Sequence, residues 1–174
     1  DDRSIRLWSC ADGTCTEAVE DAHEGGVLSL VVAGRGIWSS GYDGRIKEWT
    51  IGGAARECTR ELKLDEPLRE LCPVGGHVWV CGKSRSISVY SDDMAHVESL
   101  KGHKSFVSSL FLVDRVETRL IWSSSLGDHS LKVWRHVLRG GGASASELAA
   151  ANKLYEEQSW AADKKVQEVE TAAA

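Results

Sequence analysis

Tryptophan recurs along this chain with a period near forty residues, in two interleaved registers. Trp8, Trp49 and Trp134, with Tyr90 filling the gap, stand 41, 41 and 44 residues apart. Trp38, Trp79 and Trp122 form the second register, spaced 41 and 43. Each of these three sits in a near-copy of one segment: Ile37-Trp-Ser-Ser-Gly41, Val78-Trp-Val-Cys-Gly82 and Leu120-Ile-Trp-Ser-Ser124. Self-similarity at such a period marks a repeat architecture, in which a unit that cannot bury its apolar face alone stacks on copies of itself.

One unit explains the period. Val27 to Val32 is a short apolar run rich in β-branched residues, and Ile37 to Gly41 is a second. A Tyr42-Asp43-Gly44 turn follows, then Arg45 to Trp49, where polar and apolar residues alternate as in a strand with one buried face. Arg56 to Leu64 supplies a fourth strand. Asp-Gly between two strands is a hairpin signal because glycine takes the positive φ that a tight turn requires. Four short antiparallel strands per unit are the blade of a β-propeller. Sets of four strands are therefore expected near 27–64, 68–100 and 107–138, with Asp2 to Trp8 as the remnant of an earlier blade.

The repeats resemble the WD-repeat β-propeller family, whose motif is a Gly-His pair and then, some 20 to 25 residues on, Asp-x-[Ser/Thr]-[apolar]-[Arg/Lys]-[apolar]-Trp. Gly102-His103 precedes Asp128-His-Ser-Leu-Lys-Val-Trp134, and Asp2-Arg-Ser-Ile-Arg-Leu-Trp8 matches the same closing segment. Ala22-His23 stands in place of the Gly-His pair, and Asp43-Gly-Arg-Ile-Lys-Glu-Trp49 matches the closing segment with two substitutions, at Arg45 and Glu48. The third unit, Ser84-Arg-Ser-Ile-Ser-Val-Tyr90, keeps the strand and loses Asp and Trp. The Asp that gives the family its name is absent after every Trp or Tyr, where Ser9, Thr50, Ser91 and Arg135 stand. The resemblance covers residues 1–138. It implies an all-β fold, a partial β-propeller of four-stranded antiparallel blades. It also implies that His23, Ser39, Asp43 and Trp49, and likewise His103, Ser124, Asp128 and Trp134, form hydrogen-bonded tetrads inside their blades.

At 174 residues the chain holds only about three and a third repeats, whereas a propeller closes with four to eight blades. It is expected to be the C-terminal part of a longer propeller. Residues 139–146, beginning Arg139-Gly-Gly-Gly142, read as a Gly/Ser linker, and Ser144-Ala-Ser-Glu147 fits a capping box. From 147 to 172 the composition turns to Ala, Glu and Lys without Pro or Gly, which predicts a C-terminal α-helix. Leu148, Ala151, Tyr155, Ala162 and Val169 follow a heptad stripe that Gln158 and Lys165 interrupt, so a coiled-coil start and a solvated or docked helix both stay open.

Composition excludes several functions. The chain has 21 basic and 26 acidic residues and a net charge of −5, with no basic stripe to neutralise phosphates; nucleic acid is not an expected partner. No apolar run is long enough to span a bilayer, so no membrane insertion is expected. Cys10, Cys15, Cys58, Cys72 and Cys81 form no C-x-x-C pair and have no His cluster beside them, as for free thiols in the cytoplasm; neither a metal nor a cofactor is expected.

His103, Ser124 and Asp128 include the residue types of a hydrolase triad, and His23, Ser39 and Asp43 repeat them. Repetition argues against catalysis, because a folding device recurs in every unit while an active site need not. Asp92-Asp93 reads as a turn, and Arg115, Glu117 and Arg119 as a solvated hairpin. Function is therefore expected on surfaces, since loops on a stiff scaffold carry binding residues. The family's partner-docking face maps onto Glu24, Tyr42, Lys83, Lys104, Phe106 and Gly127, with Phe106 readable equally as an inner-strand core residue. The expected function is a non-catalytic scaffold that binds other proteins or peptides, with oligomerisation through the C-terminal helix. Two alternatives stay open: the regulatory propeller of a larger enzyme, such as a phosphoinositide phosphatase or kinase, and a cytoskeletal or flagellar coiled-coil protein.

Overall fold

Most strands fall where the alternating and β-branched runs lie, and several of the turns fall at glycines. A computed structural model describes residues 2–50, 57–114 and 119–136. β1 (Ile5–Trp8) and β2 (Cys15–Val19) pair as a two-stranded antiparallel sheet. β3 (Val27–Ala33), β4 (Gly36–Gly41), β5 (Arg45–Thr50) and β6 (Cys58–Lys63) form a four-stranded antiparallel sheet in chain order. β7 (Leu68–Val74), β8 (His77–Gly82), β9 (Ser86–Ser91) and β10 (His96–Lys101) form the next. β11 (Ser109–Asp114), β12 (Arg119–Ser125) and β13 (Ser130–His136) form a third, three-stranded among the described residues. The fold is thus all-β with repeated four-stranded antiparallel sheets, an arrangement consistent with propeller blades. β2 was not foreseen. The linker at 139–146, the helix at 147–172 and Arg115 and Glu117 lie outside the described residues.

Gly44 shows why the β4–β5 turn needs glycine. Its φ is +73°, and a Cβ there would stand 2.7 Å from the carbonyl oxygen of Leu64 and 2.9 Å from that of Glu66. The same turn receives the next connection closely, because the Leu64 amide donates to the Gly44 carbonyl at 2.8 Å. Turn chemistry and sheet stacking are therefore set at one position.

The core lies between sheets. Trp38, fully buried, packs with Ile46 of its own sheet and with Leu68, Leu71, Val78, Val80 and Tyr90 of the following one. Trp79, one repeat later, is enclosed with Cys72, Ile87, Val107, Leu110 and Ile121 in the same fashion. Trp38 faces Glu48, Trp79 faces Val89 and Trp122 faces Val133 across the neighbouring strand, so the three occupy one repeat position. Trp122, however, is 39% exposed, with Leu131 at 66% and Phe111 at 67% on the same sheet. Among the described residues, the face that buries a tryptophan twice stands open on the third sheet.

Burial also settles the thiols. Cys72 and Cys81 line the inter-sheet core, and desolvation pushes them up to about 11 and about 12, with Glu70 adding to the effect. Cys10, Cys15 and Cys58 are exposed free thiols. No group of three metal-binding side chains occurs among the described residues, and no described helix is long and apolar enough to cross a membrane.

Candidate functional site

Two buried polar chains cross the first four-stranded sheet and the three-stranded sheet at corresponding places. In the first, the Trp49 indole donates to Ser39 Oγ at 2.8 Å, Ser39 Oγ lies 2.6 Å from His23 Nε2, and His23 Nδ1 lies 3.0 Å from both Asp43 carboxylate oxygens. An indole can only donate and an ionised carboxylate can only accept. His23 Nδ1–H therefore donates to Asp43, and Ser39 Oγ accepts from Trp49 while hydrogen-bonding His23 Nε2, so the four side chains form one connected chain. Asp43 also accepts the amides of Glu24 at 2.9 Å and Arg45 at 3.0 Å. Burial alone would raise its carboxyl, but the bonds from His23 and those two amides outweigh burial and hold it below the usual carboxylate range.

The second chain corrects one residue. The Trp134 indole donates to Ser123 Oγ at 2.8 Å, and Ser123 Oγ, not that of Ser124, lies 2.7 Å from His103 Nε2. His103 Nδ1 meets Asp128 at 3.1 Å, and Asp128 accepts the Lys104 amide at 2.7 Å. The β12–β13 turn causes the offset. It holds four residues, Leu126 to His129, whereas the β4–β5 turn holds three, Tyr42 to Gly44. Ser123 faces Lys132 as Ser39 faces Lys47, so pairing restores the equivalence that linear spacing hides. Ser130 adds a further member, donating to Asp128 at 2.6 Å and lying 3.1 Å from His103 Nδ1.

The middle sheet replaces this chain with apolar packing. Leu64 and Val80 stand where the other sheets place His and Ser, and Tyr90 stands in place of Trp; all three join one hydrophobic cluster. Ser84 inherits the turn role of the Asp: its Oγ accepts the Ser86 amide at 3.2 Å, as Asp43 accepts that of Arg45. The whole polar set is exchanged together because a half-satisfied buried network costs more than an apolar one.

The two departures from the motif in the first four-stranded sheet have partners that the pattern did not reveal. Arg45 pairs with Glu24 at 3.0 Å and Glu61 at 3.4 Å. Glu48, in an apolar position of the motif, is buried and receives Arg60 through Nε at 2.6 Å and Nη2 at 2.9 Å, with Thr59 at 3.1 Å. Arg60 holds its carboxyl below the ordinary range, and Arg60 Nη2 also reaches the Asp92 carbonyl of the next sheet at 2.8 Å. Asp93 serves its own turn, accepting from Ser91 and the Ala95 amide.

No protein-family model matches the chain. It is similar to the 77 kDa echinoderm microtubule-associated protein of Lytechinus variegatus, 31% identical over an alignment of 110 residues that covers 57% of this chain and 16% of that protein. The 77 kDa echinoderm microtubule-associated protein of Strongylocentrotus purpuratus is 29% identical over the same length and shares. The match therefore spans about a sixth of these relatives. The crystal structure of the computationally designed Ika4 protein superposes with a TM-score of 0.61 over 77% of this chain and 80% of that one, at 21% identity; that likeness concerns the fold alone.

The surface residues named from the sequence cluster at one end of the sheets. Tyr42, Lys83 and Gly127 occupy the β4–β5, β8–β9 and β12–β13 turns, and Glu24, Lys104 and Phe106 the segments leading into β3 and β11. Phe106 lies outside the strand and is half-buried beside Gly127, where a Cβ would stand 3.4 Å from its ring. Leu126, 66% exposed beside it, was missed because the one-residue longer turn displaced the register.

The carboxylate of Asp128 is expected to stabilise the fold in a pH-dependent way. Burial pulls its pKa upward, but the Ser130 hydroxyl, the Lys104 amide and His103 outweigh that and leave it well below the ordinary range. A folded-state value below the unfolded one, about 3.9, gives stability that is present above about pH 4 and lost as pH falls through the folded value. Asp128→Ala should cost on the order of 1–3 kcal/mol at neutral pH, and the gap from the parent should narrow below about pH 4. Asp92→Ala on an exposed turn should be nearly neutral. Urea titrations at several pH values measure both, and a gap that stays constant with pH would contradict this role.

Proposed function

We propose that the chain is a part of a WD-repeat β-propeller and works as a non-catalytic platform for protein partners, in a cytoplasmic, cytoskeletal setting. The observation that carries this reading is the recurrence of the Trp–Ser–His–Asp chain at equivalent places in two sheets that flank a third. A recurring, buried, fully connected polar chain is a device for holding sheets in shape. Its geometry also bears on catalysis. Ser39 Oγ lies at hydrogen-bond distance from His23 like a hydrolase nucleophile, yet it is fully buried and already accepts the Trp49 indole. An activated serine must be reached by its substrate.

The open face of Phe111, Trp122 and Leu131 supports the propeller reading, since the equivalent faces on the two preceding sheets each bury a further sheet. The similarity to microtubule-associated proteins supports a cytoskeletal partner over the regulatory propeller of an enzyme. Tyr42, Lys83, Lys104, Phe106 and Leu126, at one end of the sheets, form the partner surface in this reading, with Glu24 and Gly127 beside them. Aromatic residues dominate interface energetics, so Tyr42→Ala and Phe106→Ala should each weaken partner capture about fivefold or more without lowering the thermal midpoint.

Co-sedimentation with assembled microtubules and affinity capture of tubulin, each with parent and variants, test the reading, together with a serine-directed fluorophosphonate probe. The expected result is capture that the two variants weaken, with Ser39, Ser123 and Ser124 unlabelled. Specific labelling of any of these serines would overturn the non-catalytic reading. Capture indifferent to every substitution on this face would overturn the surface assignment.

A further inference from the structure

Four cations, Lys83, Arg85, Lys101 and Lys104, are exposed at one end of the second four-stranded sheet and the three-stranded sheet. They share one surface. The segment 104–107 lies against the β8–β9 turn through a 3.1 Å bond from the Val107 amide to the Ser84 carbonyl. Lys101 pairs across the ladder with Ser86, next to Arg85. On its other flank the segment meets the β12–β13 turn, where the Lys104 amide donates to Asp128 and the Leu126 amide to Ser108 Oγ at 3.0 Å.

The first four-stranded sheet shows that these charges need not have been left free. There Arg45 and Lys47 are answered by Glu24 and Glu61, and the Lys47 ammonium also donates to the Ala22 carbonyl. Glu24 occupies the position that Lys104 holds one sheet pair later, each amide donating to its Asp. Among the described residues, none of the four cations has an ion-pair partner. The nearby carboxylates are engaged elsewhere: Asp128 is turned inward to His103, and Glu70 accepts the Leu110 amide at 2.8 Å. Glu66, half-buried, sits toward the β4–β5 turn with its carbonyl against Gly44. Exposed Leu126 and half-buried Phe106 border the cations on one side.

We propose that this patch docks an acidic, extended peptide segment of a protein partner, its carboxylates over Lys83, Arg85, Lys101 and Lys104 and an apolar side chain against Leu126 and Phe106. The inference rests on the reading of this end of the sheets as the partner surface, and it narrows the partner's chemistry. Charge complementarity favours a polyanion, and two features favour peptide over nucleic acid. The apolar border suits a side-chain anchor, whereas the four cations fall short of the roughly six to ten phosphate contacts of salt-sensitive nucleic-acid binders. The net charge of −5 on the whole chain also repels a long polyanion while leaving a short local contact, screened beyond about 8 Å at physiological salt, unhindered.

Fluorescence anisotropy on the full chain tests this with three probes: a fluorescein-labelled glutamate-rich peptide with one central leucine, its glutamine counterpart, and an oligothymidine of equal charge. The expected result is binding of the glutamate peptide alone, weakening as salt rises. The double variant Arg85→Glu, Lys104→Glu should lose about tenfold in affinity. Leu126→Ser should lose less, and Lys63→Glu, at the equivalent strand end of the preceding sheet, should bind as the parent does. Equal binding of the glutamine peptide, or an affinity that the double variant leaves unchanged, would overturn the proposal. Tighter binding of oligothymidine would replace the peptide with nucleic acid. If Tyr42→Ala and Phe106→Ala weaken tubulin capture while no probe binds, the platform reading stands and the acidic-segment proposal falls.

Discussion

Trp38→Ala is expected to cost roughly 3–5 kcal/mol, the range for removing a large aromatic from a packed core. Trp38 has no exposed surface and joins two sheets through Leu68, Leu71, Val78, Val80 and Tyr90. Its indole N–H also donates to Glu48 at 3.4 Å, so truncation leaves both a cavity and a loosened ion pair. Trp122 provides an internal control at the same repeat position. Among the described residues no following sheet covers it, and Trp122→Ala should stay within about 1 kcal/mol, as for a partly exposed side chain. Urea midpoints of the two variants decide the matter. Equal losses would mean either that the inter-sheet core is not where Trp38 lies or that Trp122 is covered in solution, and sedimentation velocity separates these outcomes.

The legible part of the fold was the part that repeats. Strand positions followed from the two tryptophan registers because each register marks a fixed place on a strand, and a sheet-forming unit must present the same face to its neighbour every time. β2 escaped notice because Cys15–Val19 lies between polar turns and carries Thr16 and Glu17 in a sheet that is mostly exposed; little apolar pattern was present to read. Arg45 and Glu48 looked like erosion of a motif. In the structure each is answered by side chains twelve or more residues away, Glu48 by Arg60 and Arg45 by Glu61, and pairing across a ladder is not visible in linear spacing. The loss of Asp and Trp from the middle unit is plain in the sequence, yet the residues that fill the space, Leu64 and Val80, are ordinary apolar residues that announce nothing. The free charges of the surface were likewise hidden, because the sequence counts cations without showing which of them have partners.

The serine in the second polar chain gives the sharpest test of how that chain is built. Counting back four residues from Asp128, as Ser39 stands from Asp43, leads to Ser124; the pairing of β12 with β13 leads instead to Ser123. Ser123 is buried with its oxygen between the Trp134 indole and His103 Nε2 at 2.8 and 2.7 Å, so Ser123→Ala removes the partner of two groups at once. Leaving buried polar groups unsatisfied costs about 1–3 kcal/mol each, and a total loss near 2–4 kcal/mol is expected once the partly exposed Trp134 regains some water contact. Ser124 is only half-buried and belongs to the opposite face of its strand, because alternate residues point to opposite sides. Ser124→Ala should therefore be nearly neutral. Thermal or urea unfolding of both variants, with tryptophan fluorescence to follow the Trp134 environment, separates the two positions. A larger loss at Ser124 than at Ser123 would return the chain to the linear spacing and would mean that the extra residue of the β12–β13 turn is absorbed outside the strand.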